Sequence, residues 1–128
     1  RHRTWTRGAA RILLTPAERN IASWAIDPML EYFENLMQEG EIAAVPPLPT
    51  LDGSVLVLPD NADARGDFLY RVLEQYKNMV DERVEDCHGI VPRGTPAAAQ
   101  ARFHKDREQA LADQKVQRGL ARKLQKYR

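Results

Sequence analysis

The chain has 128 residues, enough for one domain built on a single modest hydrophobic core. Apolar residues make up 43% and charged residues 29%, which excludes a membrane-like or a broadly disordered composition. One cysteine, Cys87, excludes an internal disulfide, and with His2, His88 and His104 widely scattered it leaves no multi-cysteine zinc site.

A formal net charge of +1 conceals a segregated pattern. Residues 1–22 carry +4, residues 23–100 carry −9, and residues 101–128 carry +6. Basic ends around an acidic centre suit a chain whose arms touch a polyanion, each neutralised phosphate releasing counterions. Folding of the ends back onto the acidic middle would produce the same pattern.

Residues 1–11 hold Arg1, Arg3, Arg7 and Arg11 with Thr4, Thr6 and no acid. That is the Arg-rich, acid-poor bias of an organellar transit segment or its remnant, and a mitochondrial, matrix-side location follows as an expectation. A basic arm over residues 1–14 is the plain alternative.

A helical core is expected over 15–91. Thr15-Pro16-Ala17-Glu18 reads as a helix start, with a capping threonine, proline in the first turn and a glutamate that completes a capping box. Ile21, Ala22, Trp24 and Ala25 fall on or near one face. Asp27-Pro28 punctuates the run, after which Met29, Leu30, Phe33, Leu36 and Met37 recur at steps of three to four until Gly40. Residues 16–39 therefore read as a kinked helix or two consecutive ones.

Residues 43–62 form a proline-rich extended connector, with Pro46, Pro47, Pro49 and Pro59 around Asp52-Gly53 and the β-prone run Val55–Leu58. An Asp52-Gly53 turn would fold residues 49–51 onto that run, and the prolines restrict the pair to a short edge hairpin or a lone extended segment. An amphipathic helix follows over 63–87, with Leu69, Val72, Leu73, Tyr76, Val80, Val84 and Cys87 on one stripe and charges opposite. His88-Gly89 and Pro92 end it.

Thr95-Pro96 opens the last helix, in a basic C-terminal segment over 92–128 that is rich in Ala, Gln, Lys, Arg and Glu. Its apolar residues are thin, and Val116, Leu120, Leu124 and Tyr127 make a narrow seam flanked by Arg118, Arg122, Lys123 and Lys126. A helix this polar is expected to project and to use the seam against a partner helix. The fold class is thus mainly α, a small helical domain with a long projecting C-terminal helix.

Candidate chemistry yields to plainer readings. Cys87-His88 lies beside Glu85 and Asp86, which disfavour a thiolate, so a packed cysteine is the expectation. Asp81, Glu82, Glu85 and Asp86 read as a solvated or partner-facing surface, because a divalent ion would need ligands from other elements. Val91-Pro92-Arg93-Gly94-Thr95 lacks the spacing of a phosphate loop, and Ser23 and Ser54 have no triad motif around them. Neither a catalytic site nor a cofactor is expected.

Trp5 among Arg1, Arg3, Arg7 and Arg11, and Tyr127 between Lys126 and Arg128, place aromatics inside basic arms, as single-stranded RNA contacts exploit. The expected anion-contacting set is Arg1, Arg3, Trp5, Arg7, Arg11, Arg118, Arg122, Lys123, Lys126 and Arg128. The functional expectation is a non-catalytic structural or accessory subunit of a large organellar assembly, foremost a mitochondrial ribosomal protein touching rRNA through its ends and neighbouring proteins through its acidic middle. An accessory subunit of a respiratory-chain complex or ATP synthase is the alternative. A helical adaptor that dimerises through the 116–127 seam ranks third as a protein-binding role, and an anionic membrane surface is a further candidate for the basic helix.

Overall fold

The computed structural model describes residues 10–128. The expectations placed on Arg1, Arg3, Trp5 and Arg7, and on a transit-like segment, lie outside the described residues. Within them, the mainly helical small domain is as expected, with one small sheet added to it.

The chain first forms a strand, β1 (Ala10–Leu13), where the sequence suggests only a basic arm. Ile12 and Leu14 are buried while Arg11 and Leu13 face out, the two-residue alternation of a half-buried strand. β2 (Thr50–Asp52) and β3 (Val55–Leu58) complete an antiparallel sheet of order β1-β3-β2. Ile12 and Leu51 both stand opposite Leu56, and that row, with Leu58, faces the core.

The expected hairpin exists, with two differences. Asp52 pairs with Val55, so the two-residue turn is Gly53-Ser54, one position later than expected. Gly53 has φ +61°, which a side chain would oppose. β3 is also the central strand rather than part of an isolated edge pair. It carries no proline: Pro46, Pro47 and Pro49 precede edge strand β2, and Pro59 follows β3, so both sides of β3 keep their donors.

Helix α1 (Pro16–Gln38) starts as read. The Glu18 amide donates to Thr15 Oγ1 at 3.2 Å, and the Thr15 amide donates to Glu18 Oε1 at 2.9 Å. Pro28 interrupts the ladder without ending the helix, so 16–38 is one element. Ile21, Ala22, Ala25, Ile26 and Met29 are buried, whereas Trp24 lies at the exposed margin. At the far end Gly40, with φ +78°, donates to Met37 O, and the Glu41 amide donates to Leu36 O, a Schellman closure.

The second long helical run, expected over 63–87, spans α2 (Ala62–Tyr70), a π turn (Arg71–Gln75) and α3 (Tyr76–Asp86). Asn61 caps it by accepting the Ala64 amide at 2.9 Å. The π turn has a reason in the stripe. Val72, Tyr76, Val80 and Val84 step by four, which drifts the apolar face by about 40° per step on a regular helix. The π turn, with more residues per turn, offsets that drift at the step from Val72 to Tyr76, the one of the three that it spans. Its altered pairing is met from outside: the buried Gln117 side chain donates to Val72 O at 3.3 Å.

Helix α4 (Ala97–Leu124), closed by a 3₁₀ turn (Gln125–Tyr127), begins one residue after the expected start. Pro96 occupies the capping position, and the Thr95 hydroxyl donates backward to Pro92 O at 2.6 Å. Gly94, at φ +89°, forms the turn that the Thr95 amide closes onto Pro92 O.

The helix enters the buried interior over its second half only. From Ala97 to Gln109 no residue is buried, but Ala110, Gln117, Leu120 and Leu124 are. Leu120 and Leu124 are fully buried in the same core as Phe68, Met29 and Leu56, and Val116 and Tyr127 pack against it. The 116–127 seam is therefore internal, correcting the expectation of a partner-helix surface and removing it as a dimer contact. A thin stripe suffices because burial needs one apolar arc, not an apolar helix, when the neighbours supply the other walls.

Candidate functional site

The remaining candidates are the basic residues of the two ends. Three of them are paired within the fold. Arg11 reaches Asp52 across the sheet at 3.7 Å, Arg128 donates to Glu74 at 2.6 Å, and Lys123 donates to Glu18 at 2.6 Å and to Leu13 O at 3.1 Å. Asp52 and Glu74 belong to the acidic middle, so internal compensation accounts for a share of the charge segregation, whereas the Lys123–Glu18 pair joins the two ends to each other.

Glu18 is the most enclosed of these acids, its side chain 7% exposed. Burial alone would raise its carboxyl, but the Lys123 ammonium and the Thr15 contacts outweigh it and hold it below the ordinary value. Lys123 is thereby a structural residue that ties α4 to the start of α1, and its expected role as an anion contact is corrected: its side chain lies toward β1 and α1, away from the neighbouring cations.

Arg118, Arg122 and Lys126 form no ion pair among the described residues, and Lys115 joins them. At 100° per residue Lys115, Arg118 and Arg122 fall within an arc of about 60° of α4, and Lys126 follows in the closing 3₁₀ turn. The buried residues Ala110, Gln117, Leu120 and Leu124 lie on the opposite arc. All four cations are exposed, and no acid occurs between 114 and 128. The fold thus sorts the C-terminal cations by face, the inward side anchoring and the outward side forming a stripe.

The stripe has a defined flank on α3. Asp81 accepts from Gln114 Nε2 and from Lys77 Nζ, each at 2.9 Å, and these bonds, Gln114's first, hold its carboxyl below the usual range with the nearby Arg118 charge assisting. Arg83 donates to Asp113 at 2.9 Å, closing α3 onto α4. The α3 acids expected as a surface cluster are therefore divided: Asp81 is engaged, while Glu82, Glu85 and Asp86 are exposed.

Sequence reasoning missed Lys115, although its offsets of three, seven and eleven from the other three cations place it on their face. Cys87 terminates α3 half-buried, with His88 exposed beside it. Among the described residues no group of three or more His, Cys, Asp or Glu is placed to hold a metal ion, and no helix is long and apolar enough to cross a membrane. An exposed line of four cations can hold a repeating anion. No family model matches the sequence, and no curated protein or solved structure matches it either.

Proposed function

We propose that the chain is a non-catalytic structural subunit of a large organellar ribonucleoprotein, with the mitochondrial ribosome as first candidate, and that it touches the RNA backbone through Lys115, Arg118, Arg122 and Lys126. The observation that carries this reading is the exposed stripe of cations at the end of α4, none of them in an ion pair among the described residues. Flexible cations spaced along one helix face suit phosphate contact, which positions a protein on RNA without reading sequence. Engagement of Arg11, Lys123 and Arg128 inside the fold reduces the charge left for RNA, as suits a peripheral subunit whose acidic middle meets proteins.

Binding of a labelled single-stranded RNA, followed by anisotropy over a salt series, tests it. Four phosphate contacts give a slope of roughly −3 in log affinity against log salt, at about −0.7 per contact. Replacing the four cations with glutamine should remove most of that slope. A slope near zero in the native chain, or an unchanged slope in the variant, overturns the reading.

A further inference from the structure

A second surface has the opposite charge. Between the second half of α1 and the start of α2 lies an open cleft of about 500 Å³, within the range of pockets that take a ligand side chain or small molecule. Met29 and Phe33 line its α1 wall, with Tyr32 beside them and Pro46 opposite. Tyr32 and Phe33 stack edge to face at 5.2 Å, and Tyr32 is 57% exposed. Amphipathic aromatics of this kind anchor interfaces.

The α2 wall carries Asp63 and Asp67, one turn apart. Arg71 donates to Asp67 at 3.0 Å, while Asp63 forms no ion pair among the described residues. Residues 27–67 contain nine acids and a single cation, Arg65, whose guanidinium donates to Pro59 O. The cleft lining itself carries Asp63 and Asp67 against Arg71, and with Arg71 held by Asp67 the carboxylate left over is Asp63, so a cationic group is favoured there over an anionic one.

We propose that this cleft docks a segment of a neighbouring polypeptide in which a lysine or arginine is flanked by an apolar residue. The apolar side chain lies on Phe33 and Pro46 above the buried Met29, and the cation reaches Asp63 past the face of Tyr32, where an aromatic ring adds attraction, with Asp67, already held by Arg71, adding its charge. Charge complementarity selects this occupant over an acidic or nucleic-acid one. The inference is independent of the α4 stripe, because it concerns a different face and the opposite sign of partner.

The probe is a short labelled peptide alternating lysine and leucine, compared with lysine–serine and glutamate–leucine counterparts, binding to the full chain. Backbone amide shifts map the contact, and the oligomeric state is checked by sedimentation. The expected result is binding of the lysine–leucine peptide alone, with shifts confined to residues 29–33 and 61–71. Asp63→Asn and Asp67→Asn should each weaken it about two- to fivefold, and Tyr32→Ser should weaken it as well. All three residues are exposed, so folding survives, and Arg118→Gln serves as a control that leaves the affinity unchanged. Equal binding of the lysine–serine peptide, shifts spread over the acidic surface, or a cleft already filled by a second copy at working concentration would each overturn the proposal.

Discussion

Replacing Lys123 with methionine keeps the aliphatic stem and removes the ammonium. In the native chain that ammonium lies 2.6 Å from the Glu18 carboxylate and 3.1 Å from Leu13 O. Breaking a buried pair costs about 3–5 kcal/mol, whereas an exposed one is worth at most about 1 kcal/mol. Glu18 is 7% exposed and Lys123 is 40% exposed, so water can replace part of what is lost. We expect a destabilisation of about 1–3 kcal/mol at neutral pH, equivalent to a fall in Tm of about 4–11 °C for a chain of this length.

The pH dependence separates charge from packing. The Glu18 carboxyl is depressed when folded, so its contribution is fully present above the ordinary value of 4.5 and is lost as pH falls through the lower folded value. In the variant, burial is left with only the Thr15 contacts against it, and the carboxyl rises. The gap between native and variant should be widest at neutral pH and should shrink in acid once Glu18 is protonated in both. Urea unfolding across that range measures it. An equal gap at neutral and acid pH, or none at neutral pH, would refute the electrostatic argument.

Other substitutions follow from the same packing. Gln117→Leu leaves Val72 O without its side-chain donor inside the core and should cost about 1–3 kcal/mol in urea unfolding, more than glutamine to leucine costs on an exposed face. Leu120→Asp buries an unpaired charge in the core, so circular dichroism should show loss of the fold rather than a dimer dissociating into folded monomers. Replacing Lys115, Arg118, Arg122 and Lys126 with glutamine should change stability by no more than about 0.5 kcal/mol per site, because all four are exposed and without ion-pair partners among the described residues. Gly40→Ala should cost about 1 kcal/mol in the same assay, since the residue stands at φ +78°.

Local chemistry made much of the helical framework legible. The box at Thr15 and Glu18, the Gly40 stop and the stripe from Leu69 to Val84 are short-range signals, and each appears where the residues place it. What stayed hidden depends on distant partners. β1 was masked by Arg11, although the alternation of Ile12 and Leu14 with outward Arg11 and Leu13 was available to read; its partner is more than forty residues away in the chain. Phe68 joins the core from α2, just outside the expected stripe.

The C-terminal helix shows the same limit for the candidate site. Its average polarity suggested a free arm, yet polarity averaged around a helix says little about which arc is buried. Glu18 and Lys123 are 105 residues apart in sequence, so nothing near Lys123 marks it as an anchor. Once the buried arc is known, the outward cations follow from helical geometry alone, and Lys115 is recovered with them.

On the proposed function, the outward face of α4 attaches this chain to an RNA-containing particle. The most direct measurement is the sedimentation of the tagged chain from gently lysed organelles, with and without nuclease, beside the four-glutamine variant. The chain should migrate with a large particle, return to the top of the gradient after nuclease, and do so without nuclease in the variant. Migration with a detergent-solubilised membrane complex that nuclease leaves intact, or an unchanged position for the variant, would contradict the claim.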